Sequence, residues 1–384
     1  MTNSCSRIIE VLQSTNHVEG LTHNFYRYPA RFAPEFAREV IMEFSREGDV
    51  VLDPFMGGGT TIVEAVANGC IACGIDINPL AHFITRVKTT PLSSNDEEAI
   101  LSWLECIAPS ANAENNSPNT DSRLRNIPDN VKQFFISAVE SIGNLKFPRQ
   151  RRFARCALMR VGQWAIDCRE ELPTSDRMKT HLVKDTSEML EGLKKLTEAA
   201  KNHSIQKNRI TSKRFLYLGN VDDVVSKNRS WLTHKPKLVL TSPPYPGVHV
   251  LYHRWQIRGR RETPAPYWLA NLRDGHGESY YTLGGRSEKG QREYFERLTR
   301  TYDVLRNAID ENAVIVQLVA FSEPNTQLPR FLNSMTSAGY EELTLFRSPD
   351  FERPYRQVPN RKWYTQLGQN QHASNEILLV HRPA

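Results

Sequence analysis

Apolar positions in SRIIEVLQ (6–13) and PEFAREVIMEFSRE (34–47) recur at spacings of three and four, which predicts two amphipathic helices. DVVLDPF (49–55) is instead a short β-branched run that reads as a strand. MGGGTT (56–61) follows as a turn, TIVEAVANG (61–69) as a helix closed by Gly69, and CIACGIDI (70–77) as a second apolar strand ending on Asp76. Strand, helix and strand in that order predict a parallel α/β unit.

The alternation stops over 91–205. That stretch has a polar portion around SPNTDSRLRN (117–126) and helical periods at NVKQFFISAVESI, RRFARCALMRVGQWAI and TSEMLEGLKKLTEAAKN, so it reads as a helical insertion. Strand and helix patterns resume at RFLYLGNVDDV (214–224), KLVLTSPPY (237–245), QREYFERLTRTYDVLRNAI (291–309), AVIVQLVAF, YEELTLFR and NEILLVHR. The expected organisation is one α/β domain in two pieces, 1–90 and 206–384, split by the insertion at 91–205. No repeat is visible.

One strand run ends on Thr241-Ser242-Pro243-Pro244-Tyr245. Two consecutive prolines lack N–H donors and fix φ, so the strand stops and its tip is held rigid. Taken alone, this is a strand-ending turn with a packed tyrosine or a rigid platform for chemistry.

The glycine turn is where backbone approaches a ligand closely and N–H groups point outward. Thr61 and Glu64 have capping-box spacing. A phosphate loop wants Lys after its last glycine, and Thr60 stands there instead. Asp76, ending the next strand, suits the ribose of either a nicotinamide dinucleotide or S-adenosylmethionine, and a purely structural turn is the third reading. Asp53 tilts the choice: a carboxylate just before the glycines repels a pyrophosphate but suits a cationic amino group or sulfonium. Its plain alternative is a cap on the turn.

The chain of 384 residues, 39% hydrophobic, is long enough to bury a sizeable core. It has no apolar run of the ~18 to 20 residues that a membrane helix needs and no signal-like start, so a cytoplasmic location without membrane association is expected. The six cysteines show no metal-ligand spacing and are expected to be reduced thiols, Cys70 and Cys73 as core strand positions. A net charge of +6 permits a polyanionic partner. Lys146, Arg149, Arg151, Arg152, Arg155 and Arg160 crowd one stretch, and Arg254, Arg258, Arg260 and Arg261 another, with Tyr252, His253 and Trp255 among them.

The motif Asp53 through Thr61, with Gly74-Ile75-Asp76-Ile77-Asn78 and Thr241 through Tyr245, resembles the S-adenosylmethionine-dependent DNA amino-methyltransferases, which modify cytosine N4 or adenine N6. YRYPARFAPEFAREVI (26–41) is similar to the family segment that closes over the methionine end of the cofactor. The likeness covers roughly 22–90 and 214–382. It implies a Rossmann-like methyltransferase sheet, mostly parallel with an antiparallel edge strand.

The resemblance also implies roles. Tyr28, Phe32, Asp53, Pro54, Phe55, Gly57, Gly59, Thr60 and Thr61 would surround the methionine part; Asp76 and Asn78 would serve the ribose side. The family often has Gly-Asp at the adenine contact, where this chain has Gly219-Asn220 with Asp222 two residues on. Ser242, Pro243, Pro244 and Tyr245 would be catalytic. An exocyclic amine is a poor nucleophile, and acceptors beside its N–H groups, Ser242 Oγ and the Pro243 carbonyl at ~2.7 to 3.2 Å, draw it toward a tetrahedral form. Pro244 stiffens the tip and Tyr245 offers a face to a flipped base. A sulfonium is already a good leaving group, so neither metal nor covalent intermediate is required.

Within the family, Ser-Pro-Pro-Tyr goes more often with cytosine N4 and Asp-Pro-Pro-Tyr with adenine N6, which favours N4-methylcytosine. The expected partner is duplex DNA, with a cognate restriction endonuclease as a further partner. Recognition is expected from the insertion, through Arg149, Arg151, Arg152 and Arg155, and from 246–290, through His249, Arg254, Arg258, Arg260 and Arg261. The alternative reading of the insertion is a dimerisation or packing element. An RNA amine methyltransferase, an inactive nucleic-acid-binding relative and a dehydrogenase are the competing readings.

Overall fold

The computed structural model describes residues 3–14, 20–28, 31–107, 121–227, 234–246, 254–258, 261–275, 281–346, 352–357 and 375–384. Its main sheet is built from β1 (Val50–Asp53), β2 (Ile71–Asp76), β3 (Arg214–Leu218), β4 (Leu238–Thr241), β7 (Val314–Ala320), β8 (Tyr340–Glu342), β9 (Tyr355–Gln357) and β10 (Asn375–Pro383). A separate antiparallel hairpin pairs β5 (Trp255–Ile257) with β6 (Arg261–Thr263).

The spatial order is β3-β2-β1-β4-β7-β10-β8, with β9 also on β10. β3, β2, β1, β4 and β7 run parallel, and β10 runs antiparallel to β7, β8 and β9. This is the expected mostly parallel α/β sheet with antiparallel pairing at one side, the reversed strand lying one in from the β8 edge. Strand order reverses between β1 and β4. In such sheets the crevice beyond the carboxyl ends at the reversal is where ligands bind, and both sequence motifs end there.

Helices cover both faces. α1 (Asn3–Gln13), α2 (Pro34–Phe44), α3 (Thr60–Ala67) and the end of α8 (Ser175–Asn202) pack on one face with Val51, Leu238, Leu240, Val316 and Leu318. α9 (Val221–Lys227), α11 (Glu288–Ala308) and α12 (Pro324–Ser337) pack on the other with Val50, Leu52, Val239, Ile315 and Val319. These alternate strand positions point to opposite faces, and a strand buried on both is apolar along most of its length; Gln317 of β7 is buried as the exception, paired with Tyr302 and His381.

α4 (Pro79–Lys88), α5 (Ser94–Cys106), α6 (Asp129–Ser141), α7 (Pro148–Ile166) and most of α8 build a third core. α4 and α5 were not expected from periodicity; Asn78 and a Ser93–Asp96 capping box start them. α8 begins well before its apolar period, at a Thr174 cap. The β5–β6 hairpin and α10 (Ala265–Leu269) join this core through Trp255, Ile257, Tyr267 and Leu269. At Gly162 of α7 an added Cβ would lie 2.3 Å from Trp255, so glycine is what lets the indole seat on the helix. The two segments nominated for recognition therefore share one apolar core.

Cys70 and Cys73 are buried free thiols in and beside β2. No described helix is long and apolar enough to cross a membrane.

Candidate active site

β1 and β4 are direct neighbours, Leu52 opposite Val239, so Asp53 and Thr241 end side by side. The Thr241 hydroxyl donates to Asp53 Oδ1 at 2.7 Å, the Phe55 amide donates to the same oxygen at 3.1 Å, and Thr61 Oγ1 donates to Oδ2 at 2.8 Å. Asp53 is 2% exposed. Its oxygens take donors from the chain, so it bolts the glycine turn to the Ser-Pro-Pro-Tyr strand, while Oδ2, with a single donor, keeps capacity for the methionine-end role expected of it. Burial pushes its carboxyl up to about 6 against those bonds.

The turn itself uses left-handed backbone at Gly57 (φ 47°) and Gly59 (φ 75°), the latter capping α3. The Thr61–Glu64 capping box does not form. Thr61 is drawn to Asp53, while Glu64 is buried against His23 Nε2 at 2.7 Å and Arg38 Nε at 3.0 Å. Beneath the turn, buried Lys88 donates to the Gly58 carbonyl at 2.6 Å, and burial lowers its ammonium to about 7. Tyr28 lies over the turn: a Cβ on Gly58 would fall 2.6 Å from Tyr28 Cβ.

Asp76 Oδ2 accepts from the Gly57 amide at 2.8 Å and Oδ1 from the Asn78 amide at 2.8 Å. Burial raises this carboxyl also to about 6. A carboxylate oxygen accepts two bonds, so each retains capacity for a ribose hydroxyl, and the donor chemistry fits that group. Asn78 sits differently from its expected cofactor role. Its amide group caps α4 and meets the Tyr28 and Tyr267 hydroxyls, both at 3.1 Å, in a buried hub. Phe32 is likewise buried, edge-on to Phe36 at 5.8 Å in the core. Asn220 caps α9 through the Asp222 amide, and Asp222 itself pairs with Arg300 and Thr301 of α11. Pro54 and Thr60 are buried at the two ends of the turn, and Phe55 is half-buried against the core beneath α9, α11 and α12.

At the second tip, Ser242 Oγ donates to the Leu318 carbonyl of β7 at 2.9 Å and stands 3.1 Å from the Tyr245 hydroxyl. Tyr245 donates to Glu376, which is 2% exposed and paired with Arg356; Arg356 also donates to the Arg31 carbonyl at 3.2 Å. Burial and the neighbouring Glu376 carboxylate hold the Tyr245 phenol well above its ordinary range. Tyr294 donates to the Pro244 carbonyl at 2.7 Å, while no described residue donates to the carbonyl of Pro243. Glu376 and Arg356 lie more than a hundred residues from Tyr245 in sequence, and nothing local to NEILLVHR or to Arg356 marks them.

The nominated arginines separate. Arg149 pairs with Asp96 at 2.6 Å, Arg254 with Asp274 at 2.8 Å, and Arg155 donates to the Leu269 carbonyl at 2.8 Å, so these three hold the fold together. Arg151 is exposed and donates to the Leu145 carbonyl at 2.7 Å. Arg152 has no carboxylate partner among the described residues and lies in the field of Arg86, as does Arg214. Arg258 and Arg261 are exposed on the hairpin; His249 and Arg260 lie outside the described residues.

Residues 7–86 match the family described as DNA methylase, N6/N4 type. The match to this DNA methylase family lies within the first 86 residues. Relatives include the type II methyltransferase M.MvaI of Kocuria varians, 40% identical over 95 residues, 24% of this chain and 21% of that protein. M.BsoBI of Geobacillus stearothermophilus is 40% identical over 77 residues, 20% of this chain and 15% of that protein. The orphan methyltransferase M.BamHII of Bacillus amyloliquefaciens is 42% identical over 53 residues, 14% of this chain and 20% of that protein. The aligned part thus spans about a fifth or less of these relatives' length. Among solved structures, the rRNA methyltransferase aviRa of Streptomyces viridochromogenes covers 77% of this chain and 78% of its own, at 12% identity and a TM-score of 0.32. TrmN of Thermus thermophilus covers 94% of this chain and 53% of its own, at 10% identity and a TM-score of 0.31. The α/β fold of the chain rests on its own strand order.

Proposed function

We propose that this chain is an S-adenosylmethionine-dependent DNA methyltransferase acting on an exocyclic base amine, cytosine N4 by preference, with the base turned out of the duplex. The observation that carries the proposal is the junction at Asp53, where the Thr241 hydroxyl at 2.7 Å and the Thr61 hydroxyl at 2.8 Å lock the glycine turn beside the Ser-Pro-Pro-Tyr tip. Bound at the glycine turn, S-adenosylmethionine supplies a methyl group on a sulfonium.

The chain's own residues do the rest. Asp76, Gly57 and Gly59 would hold the cofactor, with Tyr28 and Phe55 at its sides and Asn220 near its base. Ser242, by donating its proton to Leu318, keeps oxygen lone pairs for an incoming N–H. Buried Pro243 presents a carbonyl as a second acceptor from a rigid backbone. Two acceptors on one amine localise its lone pair, and fixed placement of the tips supplies most of the acceleration. Arg258, Arg261, Arg86 and Arg152 are the nearby cations without a carboxylate partner among the described residues and are available for phosphates.

Ser242 in place of an aspartate favours cytosine, and N6-adenine is the second reading. Incubating the protein with labelled cofactor and duplex DNA, then digesting to nucleosides, should yield N4-methylcytosine. N6-methyladenine as sole product would reject the cytosine preference. Transfer to RNA alone would reject DNA as substrate.

A further inference from the structure

The contacts at the catalytic tip contain more acceptors than protons. Ser242 and Tyr245 carry one hydroxyl proton each, yet three contacts meet there: Ser242 with Leu318 O, Ser242 with Tyr245, and Tyr245 with Glu376. A bond to a carboxylate is the strongest of the three, so the tyrosine proton goes to Glu376. Arg356, paired with the other carboxylate oxygen, holds that group in place. Tyr245 then cannot donate to Ser242, and both settings of the serine proton, toward Leu318 or toward Tyr245, leave serine lone pairs open.

We infer that Glu376, clamped by Arg356, is a positioning residue that leaves the Ser242 proton free to turn toward Tyr245 and terminates the path by which the target amine's proton leaves. The inference rests on the methyltransferase reading and deepens it. When the amine nitrogen forms its new bond to the methyl carbon, the carbon–sulfur bond breaks, the sulfur leaves as a neutral thioether, and the positive charge passes to nitrogen. One N–H proton must then go. It passes to Ser242 Oγ as the serine proton moves to Tyr245 Oη and the tyrosine proton to Glu376, which ends as a carboxylic acid. A protonated exocyclic amine is far more acidic than a carboxylic acid, so the direction is downhill even beside Arg356.

Glu376→Gln tests this with little change in shape. Arg356 needs an acceptor, so it takes the glutamine oxygen and turns the amide NH2 toward Tyr245. The phenol proton is then forced onto Ser242 Oγ, which fixes the serine proton on Leu318 and leaves the proton path with no outlet, while the second serine lone pair can still accept from the substrate. On duplex DNA that the wild type methylates, E376Q should leave cofactor affinity unchanged within about twofold and slow single-turnover transfer roughly 10- to 100-fold, at or below the low end of acid–base contributions. A second readout needs no turnover. The wild type should bind duplex bearing the target amine about fivefold more tightly than duplex with hydrogen in its place, the worth of one hydrogen bond, and E376Q should keep that preference because its Ser242 retains one lone pair. In a Tyr245→Phe background the glutamine has no hydroxyl to redirect, so E376Q should add almost nothing. Tyr245→Phe alone, which cuts the path but spares the Glu376–Arg356 pair, should slow transfer on its own, and it serves as the test if E376Q does not fold.

Full single-turnover rate in E376Q, loss of the amine preference, or additive effects with Y245F would each overturn the inference and leave the assigned function standing. Absence of any methyl transfer by the wild type to DNA would overturn both.

Discussion

Thr241→Val removes one oxygen from the junction on which the site depends and keeps the side chain's shape. Thr241 is fully buried, and its hydroxyl meets Asp53 Oδ1 at 2.7 Å. A hydrogen bond to a charged acceptor is worth ~1.5 to 3 kcal/mol and one to a neutral acceptor ~0.5 to 1.5 kcal/mol. Which applies depends on Asp53, whose carboxyl titrates near 6 in the fold against an ordinary 3.8. A carboxyl raised in this way favours the fold while neutral: its advantage is complete below about 4 and gone above about 6. Thr241 opposes that rise by favouring the charged form, so its loss moves the titration higher still and costs most where Asp53 is ionised. Urea unfolding should therefore show the variant less stable by ~2 to 3 kcal/mol at pH 8 but only ~1 kcal/mol at pH 5, with unchanged m. An equal cost at both pH values, or a cost under ~0.5 kcal/mol at pH 8, would refute the picture of a buried carboxylate held between the two strand tips.

Gly58→Ala places a Cβ 2.6 Å from Tyr28 Cβ, a contact that backbone must yield to. Overpacking of this kind costs ~1 to 3 kcal/mol, and the melting-temperature rise on adding S-adenosylmethionine should shrink relative to wild type. Charge reversal separates paired from free arginines: Arg152→Glu, at a side chain without a carboxylate partner among the described residues, should weaken duplex binding at low salt and reduce the salt slope by about 1. Arg149→Glu, already paired with Asp96 at 2.6 Å, should lower the melting temperature with a smaller change in that slope.

The sheet and its two tips were legible in the chain because a strand buried on both faces is apolar along most of its length and a ligand-approaching turn has to be rich in glycine. DVVLDPF, CIACGIDI and KLVLTSPPY met those demands locally, and each became the strand it promised. The helices α4 and α5 escaped notice because their signals are caps, at Asn78 and Ser93, more than periodicity.

What the tertiary structure alone decided is how side chains are shared. Asp53, Asn78 and Phe32 stand where a cofactor-binding pattern expects them. Asp53 is nonetheless committed to Thr241, 188 positions away, Asn78 to Tyr267, 189 positions away, and Phe32 to Phe36 in the core. Arg149 and Arg254 read as free charge until Asp96 and Asp274 are brought to them. Glu376 reaches Tyr245 across 131 positions. A local pattern fixes which residues arrive at the carboxyl ends of the strands, because backbone period and turn geometry are set over a few residues. Which donor meets which acceptor is set by strand order, and the order β3-β2-β1-β4-β7-β10-β8 follows from how the whole core closes.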